Sequence, residues 1–237
     1  MKTDLYKANT RGHAFHGWLD TYHTFSFADY CNPERIRFGA LRVLNDDTVK
    51  GGKGFGTHPH DNMEIITIPI KGGVKHGDNM GNSGVIREGD VQVMSAGTGV
   101  RHSEYNADSK DPVNFFQIWV FPNKKDVTPR YEQKQMNFLE HKNTLSEIVT
   151  PYPTEHALWI YQEAWFSIGI FEQGKEFRYE LKAKNHGVFV MIIKGKFNVS
   201  GIEIEDRDGL GLWDTDFITI KALSDEARIL LIDVPMI

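Results

Sequence analysis

Residues 57–65 read THPHDNMEI, and this stretch decides how the rest of the chain is interpreted. His58 and His60 are separated by one residue, and the run IITIPI at 65–70 has the composition of a β-strand. Residues i and i+2 of a strand point to the same face of a sheet. Two imidazoles on one face can bind the same ion, so the stretch predicts half of a metal site.

A second pair with the same spacing, His102 and Glu104, follows the glycine-rich turn SAGTGV at 95–100. If the two strands are neighbours, the pairs bring three imidazoles and one carboxylate together. Such ligands suit Fe, Ni, Cu, Mn, Co or Zn, and octahedral versions leave positions open for substrate or water. The spacing predicts one mononuclear site and does not choose among these metals.

Composition excludes several classes of protein. The 237 residues carry a formal net charge of -5, which argues against a binder of nucleic acid or anionic membrane, because both need a basic face. No apolar run reaches the roughly 20 residues of a membrane span, and the N-terminus lacks the apolar core of a secretory signal. The single cysteine, Cys31, cannot form an internal disulfide. We therefore expect a cytoplasmic protein.

Short β-rich blocks separated by Gly, Asn and Asp clusters predict an all-β fold. DNMGNSG at 78–84 has the composition of a hairpin turn, and the polar, proline-containing residues 124–156 are interpreted as a connector. The blocks are FGALRVL (38–44), EIITIPI (64–70), DVQVM (90–94) and NFFQIWVF (114–121), then FRYEL (177–181), VFVMII (188–193), FNVSGIEI (197–204), FITI (217–220) and ARILLIDV (227–234).

The two sets of blocks resemble each other, which indicates a degenerate tandem repeat. We expect an N-terminal metal-binding unit over residues 1–125, and a connector with a second, metal-free unit over 126–237. The matched blocks are IPIKGGV (68–74) with MIIKGKF (191–197), REGDVQVM (87–94) with WDTDFITI (213–220), and QIWVFP (117–122) with LLIDVP (230–235).

The glycines and histidines around the two pairs resemble the two sequence motifs of the cupins. HTFSFADY at 23–30, FGALRV at 38–43, GTHPH at 56–60 and SAGTGVRHSE at 95–104 resemble the pirin family more closely. That resemblance implies a bicupin, two tandem jelly-roll-like β-barrels with one mononuclear metal, usually described as iron, in the N-terminal barrel. It also implies which residues are the ligands: His58, His60, His102 and Glu104.

Other titratable residues have weaker patterns. Many cupins take their carboxylate ligand from the position of Glu64, which the pirin pattern leaves as a nearby acid or as a glutamate with no role beyond polarity. His76 is expected near the pocket mouth, either lining it or solvated. Structural or surface roles are favoured over a second metal site for His13, His16 and His23, because their spacing is irregular. In the second unit, Leu181 and Ala183 align with the first histidine pair, and His186 is alone.

The resemblance implies a metal-dependent dioxygenase that opens a flavonol such as quercetin with O2 and releases carbon monoxide. Glu104 would then act as ligand and as base toward a substrate hydroxyl. The expected partners are a small planar polyphenol and O2, with no direct nucleic acid and no membrane. Two alternatives stay open. One is a non-enzymatic, metal-bearing regulator that binds a transcription or metabolic protein, and the other is a barrel in which the metal only adds stability.

Overall fold

The computed structural model describes all 237 residues, which form 22 strands and two single turns of 3-10 helix at Ala8–Thr10 and Asn137–Leu139. The strands of the first half are β1 (Lys2–Tyr6), β2 (Gly12–Phe15), β3 (Leu19–His23), β4 (Leu41–Val49), β5 (Gly54–His60), β6 (Glu64–Lys71), β7 (Gly73–Asp78), β8 (Ser83–Arg87), β9 (Asp90–Ser95), β10 (Val100–Asn106) and β11 (Val113–Val120). Those of the second half are β12 (Arg130–Gln135), β13 (Leu145–Thr150), β14 (Leu158–Trp159), β15 (Trp165–Phe171), β16 (Glu176–Glu180), β17 (His186–Lys194), β18 (Lys196–Val199), β19 (Ile202–Glu205), β20 (Gly209–Trp213), β21 (Phe217–Ala222) and β22 (Ala227–Pro235).

Each half of the molecule is a jelly roll made of one seven-stranded and one four-stranded sheet. In the first half the order β12-β9-β6-β11-β4-β3-β2 faces β5-β10-β7-β8. In the second half β1-β20-β17-β22-β15-β13-β14 faces β16-β21-β18-β19. The predicted all-β bicupin fold is confirmed, although the strands of each half form two separate sheets rather than one closed barrel.

Strands cross the expected boundary between residues 125 and 126 in both directions. β1 pairs with β20 in the second half, and β12 pairs with β9 in the first. Each jelly roll therefore completes its large sheet with a strand from the other side of that boundary. The segment interpreted as a connector also contains β13, and FNVSGIEI is two strands, because Ser200 and Gly201 turn the chain with positive φ angles of 48° and 89°.

The tandem repeat is visible in the topology, with one correction. β6 and β17 hold equivalent central positions, and each turns into the next strand at a glycine of positive φ, Gly72 or Gly195. The match of REGDVQVM to WDTDFITI is wrong. β20 takes the place of β9, whereas β21, which contains most of WDTDFITI, takes the place of β10. Short alternating strands are similar in sequence wherever they lie, so similarity alone mispairs them.

The two large sheets pack against each other and form the main core. It comprises 28 buried residues from both halves, among them Phe116 and Ile66 from the first and Phe189 and Leu230 from the second. Because strand residues alternate, the opposite faces of these sheets line the interiors of the two jelly rolls. No helix of this chain has the length and apolar character needed to cross a membrane.

The interiors of the two jelly rolls differ in polarity. The second is filled by 16 buried apolar or aromatic residues, including Tyr179, Ile218 and Ile220. The first has small apolar clusters around Phe115 and around Ile65, and its interior also holds buried histidines, carboxylates and amides. Buried polar groups need partners, so the first interior is the place to look for a ligand site.

Candidate metal centre

Three histidines meet on two neighbouring strands of the small sheet in the first half. β5 and β10 are antiparallel, and His58 lies directly opposite His102. The ring centroids are 4.4 Å apart for His58 and His102, and 4.9 Å apart for both pairs that include His60. One potential ligand atom from each ring lies within 4.8 Å of the other two.

The turn before β10 explains how the second strand reaches this position. Gly97 has a φ of 47°, and a Cβ on it would lie 2.0 Å from the carbonyl oxygen of Val127, so only glycine fits there. After the turn, residues of β10 alternate between buried and exposed, and His102 and Glu104 point inward as the i, i+2 spacing predicts.

The state of the imidazoles fits a metal. His58 Nδ1 lies 2.8 Å from the carbonyl oxygen of Gly56, and because a carbonyl can only accept, Nδ1 donates this hydrogen bond and Nε2 is the nitrogen left to bind an ion. His102 is 1% exposed, and neither of its ring nitrogens has a hydrogen-bond partner. Burial and the neighbouring imidazoles lower the pKa of His60 to about 4 and that of His102 to about 2, so both rings are neutral. A divalent transition metal would use these lone pairs.

Glu104 lies in the same interior but is held by the opposite sheet. Its Oε2 accepts a hydrogen bond from Gln117 Nε2 at 2.7 Å, and its Oε1 accepts one from Thr67 Oγ1 at 3.2 Å. Burial raises its pKa, and the hydrogen bond from Gln117 opposes that rise. The carboxylate is not part of the three-histidine group, although each oxygen keeps a lone pair beyond its hydrogen bond.

Glu64 points away from the histidines. It shares a face of β6 with Ile66, which belongs to the core between the jelly rolls, whereas Thr67 faces the interior. Its Oε2 accepts a hydrogen bond from Ser95 Oγ at 2.7 Å, and burial raises its pKa to about 7 although the Tyr161 backbone N–H also donates to it. Glu64 therefore contacts the second half of the chain rather than the metal group.

His76 is buried behind the histidine group rather than at a solvated edge. It is 1% exposed, lies opposite Glu104 on β7, and its ring centroid is 5.4 Å from that of His102. Its Nε2 is 3.2 Å from an oxygen of Asp78, and its ring stacks on Tyr131. The side chain therefore packs against the ring of His102 inside the protein.

The remaining histidines are dispersed. His13 forms a 2.7 Å pair with Asp20 near the surface, and His23 contacts Asn45, so neither joins a group of three potential ligands. His186 is bound to Asp233 at 2.6 Å inside the second half. There β16 ends at Glu180, before the aligned residues 181 and 183, and no second group of potential ligands forms.

The histidine group opens into a cavity of about 270 Å³. Three of its walls are aromatic, and the others are polar groups of the two facing sheets. The lining residues are Phe27, Asn45, Asp47, Phe55, His58, His60, Glu104, Gln117 and Trp119. Aromatic walls with a few placed polar groups are typical of sites for small molecules.

Sequence reasoning missed Asn45, Asp47 and Gln117. Asn45 and Gln117 belong to a row of polar side chains that lie directly opposite one another on five strands of the large sheet, and Asp47 lies two residues from Asn45 on β4. The row runs His23, Asn45, Gln117, Thr67 and Gln92. The sequence indicates Asn45 and Asp47 through NDD at 45–47, three consecutive polar residues within a strand that is otherwise mostly apolar.

Asp47 should make the stability of the metal-free protein depend on pH. Burial raises its pKa from 3.8 to about 7, against the hydrogen bond from Thr21. Between these values the unfolded chain releases the proton and the folded protein keeps it, so the free energy of unfolding falls as pH rises from about 4 to 7. Asp47→Asn removes this pH-dependent loss of stability and keeps a side-chain oxygen that accepts the hydrogen bond from Thr21. We expect its Tm to exceed that of wild type by about 5 °C at pH 8 and by much less at pH 4.5.

Thermal melts of both proteins at the two pH values, after chelation of metal, check this expectation. Asp61→Asn, on the exposed surface, is the matched control and should show no such difference. An Asp47→Asn effect of equal size at pH 4.5 and pH 8 would show that the carboxyl is already ionised in the folded protein.

Two jelly rolls in tandem, with a three-histidine group in only one of them, define a bicupin with a single candidate metal centre. Comparison with known sequences agrees with this description. The family model described as Pirin matches residues 5–120, and the one described as Quercetinase C-terminal cupin domain matches residues 147–234. The chain belongs to the pirin family.

Its relatives include enzymes and proteins with less specific names. The chain is 42% identical over 231 residues to quercetin 2,3-dioxygenase of Escherichia coli (strain K12), covering 98% of each chain. It is 38% identical to a pirin-like protein of Caulobacter vibrioides, covering 94% of this chain and 95% of that one. The crystal structure of the bacterial pirin YhhW from Escherichia coli in complex with nickel(II) superposes with a TM-score of 0.94 at 40% identity, covering 100% of both chains.

Proposed function

We propose that this protein is a metal-dependent dioxygenase that opens the heterocycle of a flavonol such as quercetin with O2 and releases carbon monoxide. The observation that carries the proposal is the group of three histidines at one end of a cavity with aromatic walls. The relative named quercetin 2,3-dioxygenase supports it, because similarity to that protein extends over nearly the whole chain.

The proposed ligands are His58, His60 and His102, with Glu104 as the fourth. The three imidazoles face one another, and two strands of one sheet hold them in register. A bound divalent metal would supply Lewis acidity that lowers the pKa of a substrate hydroxyl, and a place where substrate and O2 meet. We propose iron as the native metal, with Ni, Co, Mn, Cu and Zn as alternatives. Nickel is the first alternative to test, because the bacterial pirin YhhW forms a complex with nickel(II).

Glu104 is the proposed base. Burial raises its pKa above the usual range, so the carboxylate is a stronger proton acceptor than an exposed glutamate. The hydrogen bonds from Gln117 and Thr67 hold it beside the cavity, so a substrate hydroxyl entering there can transfer its proton to a carboxylate oxygen. The same side chain would serve as ligand and as proton acceptor.

The cavity walls suit a planar substrate. Trp119 packs edge-on against His60, with ring centroids 4.9 Å apart, and Phe27 packs against Trp119 at 5.3 Å. Phe55 contributes a third aromatic wall. Flat rings can enter such a space with their faces against aromatic side chains, and the closely packed walls limit the water that reaches the reacting atoms.

The proposal is tested by reconstituting metal-free protein separately with Fe²⁺, Ni²⁺, Co²⁺ and Mn²⁺ and following quercetin absorbance under air. At least one metal should give consumption well above the metal-free control, with one equivalent of O2 used per quercetin. If none of the four forms consumes quercetin faster than the metal-free protein, the enzymatic proposal fails. The regulator hypothesis would then be tested by asking whether a protein partner binds in a metal-dependent way.

A further inference from the structure

One side of the cavity is formed by β4, which contributes Asn45 and Asp47. The two side chains are two residues apart on one strand and therefore share its inward face. Asn45 is 3% exposed, and its position in the strand is directly opposite Gln117 on one side and His23 on the other. The amide of Asn45 thus has one neighbour on each flank and the cavity in front of it.

His23 fixes the orientation of that amide. Its Nδ1 is 2.9 Å from Asn45 Oδ1, and both residues are buried. His23 is itself packed against Phe27 and Tyr30, with ring centroids 5.3 Å and 6.4 Å away. Burial lowers the pKa of His23, so the ring is neutral and has a single N–H. With that proton on Nδ1, His23 donates to Asn45 Oδ1. The N–H groups of Asn45 Nδ2 are then on the branch of the amide that His23 does not contact.

Asn45 keeps unused amide donors, unlike Gln117, the other amide of the cavity. Gln117 uses both ends of its amide, since Nε2 donates to Glu104 and Oε1 lies 3.1 Å from Thr67 Oγ1. Asn45 Nδ2 has no acceptor in the protein and is not among the fully enclosed polar atoms that lack a partner. Its N–H groups are therefore available to a molecule in the cavity.

We propose that Asn45, held by His23, orients a planar, polyoxygenated aromatic ligand by donating a hydrogen bond from Nδ2 to one of its oxygens. The aromatic walls confine the plane of such a ligand but do not fix its rotation within that plane. A donor at one edge fixes the rotation and so selects which oxygen faces the histidines. The class of ligand rests on the proposed function, whereas the free donor rests on the contacts of Asn45 and His23.

The test is binding without turnover. Nickel-loaded wild type, Asn45→Leu and Asn45→Asp are titrated anaerobically with quercetin and with flavonoids that each lack one of its oxygens. Both variants should bind quercetin about tenfold more weakly, since one hydrogen bond is lost. Asn45→Asp keeps the oxygen that His23 contacts and guards against a folding defect in Asn45→Leu. The loss should vanish for the one flavonoid that lacks the partner oxygen.

Asn185→Leu, an exposed position in the second half, is the control and should leave every dissociation constant unchanged. A loss of the same size for every flavonoid, or a loss smaller than twofold for quercetin, would overturn the role of Asn45. The first result would mean that the side chain acts only through packing, and the second that it contributes no hydrogen bond to the ligand.

His23 is a positioning residue in this proposal, and a double-mutant cycle tests that role. His23→Phe keeps a ring between Phe27 and Tyr30 and removes the hydrogen bond to Asn45. It should weaken quercetin binding in the wild-type background and have no further effect when combined with Asn45→Leu. Additive losses in the double variant would show that His23 does not act through Asn45.

The same samples separate this inference from the proposed function. Wild type that binds quercetin but does not consume it under air when loaded with Fe²⁺, Ni²⁺, Co²⁺ or Mn²⁺ contradicts the dioxygenase proposal and leaves Asn45 in its role. Wild type that consumes quercetin while Asn45→Leu binds it normally contradicts only the role of Asn45. Wild type that binds none of the flavonoids contradicts both.

Discussion

His102→Ala should bind metal at least about a hundredfold more weakly than wild type and should lose its activity with it. Loss of a residue that only supports a ligand already costs about 10- to 100-fold in affinity, so loss of a ligand should cost more. His102 is the most buried of the three histidines, and neither of its nitrogens has a protein partner. Because His102→Ala breaks no hydrogen bond within the protein, we expect the variant to stay folded. The loss of affinity is measured as the number of metal ions per chain that remain after dialysis. Circular dichroism checks that the variant is folded.

His156→Ala is the matched control, because His156 is exposed and belongs to the second half. Wild type and this control should each hold one metal per chain, since the second jelly roll has no group of potential ligands. Full metal content in His102→Ala would show that the ion binds elsewhere. Two metals per chain in wild type would show that a second site exists.

Glu104→Gln should reduce quercetin turnover by about 10²- to 10⁴-fold, the usual contribution of a general base. Glutamine has nearly the same shape, and its one oxygen can still accept from Gln117 while its NH2 group donates to the Thr67 hydroxyl, but it cannot take a proton. The rate per bound metal is the quantity to compare, because the variant should also hold metal less tightly if Glu104 is the fourth ligand.

Glu64→Gln provides a matched control for this substitution. Glu64 is also a buried glutamate of the first half, but its carboxylate contacts Ser95 and the Tyr161 backbone. We expect Glu64→Gln to keep both its metal and its turnover per metal. If turnover per metal is unchanged in Glu104→Gln, that carboxylate is not the base. If Glu64→Gln loses its metal instead, the fourth ligand comes from the position that many other cupins use.

The histidine group could be predicted from sequence because its geometry is local. His58 and His60 share a face by strand alternation alone, and so do His102 and Glu104. Pairing β5 with β10 needed the resemblance to a known fold, since nothing in the two segments states that they are neighbours. In the structure His58, His60 and His102 lie close together, and the metal site itself stays a prediction.

The features that sequence did not reveal depend on long-range pairing. Strand β1 completes a sheet of the second half, and its sequence, KTDLY, has nothing to indicate a partner more than 200 residues away. Glu64 faces the core between the halves because of the register of β6, which a one-residue slip would reverse. The role proposed for Asn45 depends on His23, which is adjacent only across two paired strands.

The second jelly roll shows how the same topology can lose a metal site. The strands equivalent to β5 and β10 are β16 and β21, whose inward residues include Tyr179, Ile218 and Ile220. Apolar side chains fill the volume that the first half leaves for ligands and cavity. Tyr179 donates a hydrogen bond to Asp233, so the polar group that remains is satisfied within the protein.

The dioxygenase account is tested most directly by carbon monoxide in the headspace of a sealed aerobic vessel containing quercetin and metal-loaded protein. Wild type with a measured metal content of one per chain should release one carbon monoxide per quercetin consumed, and His102→Ala should release none. If wild type holds its metal and neither consumes quercetin nor releases carbon monoxide, the protein is not a flavonol dioxygenase.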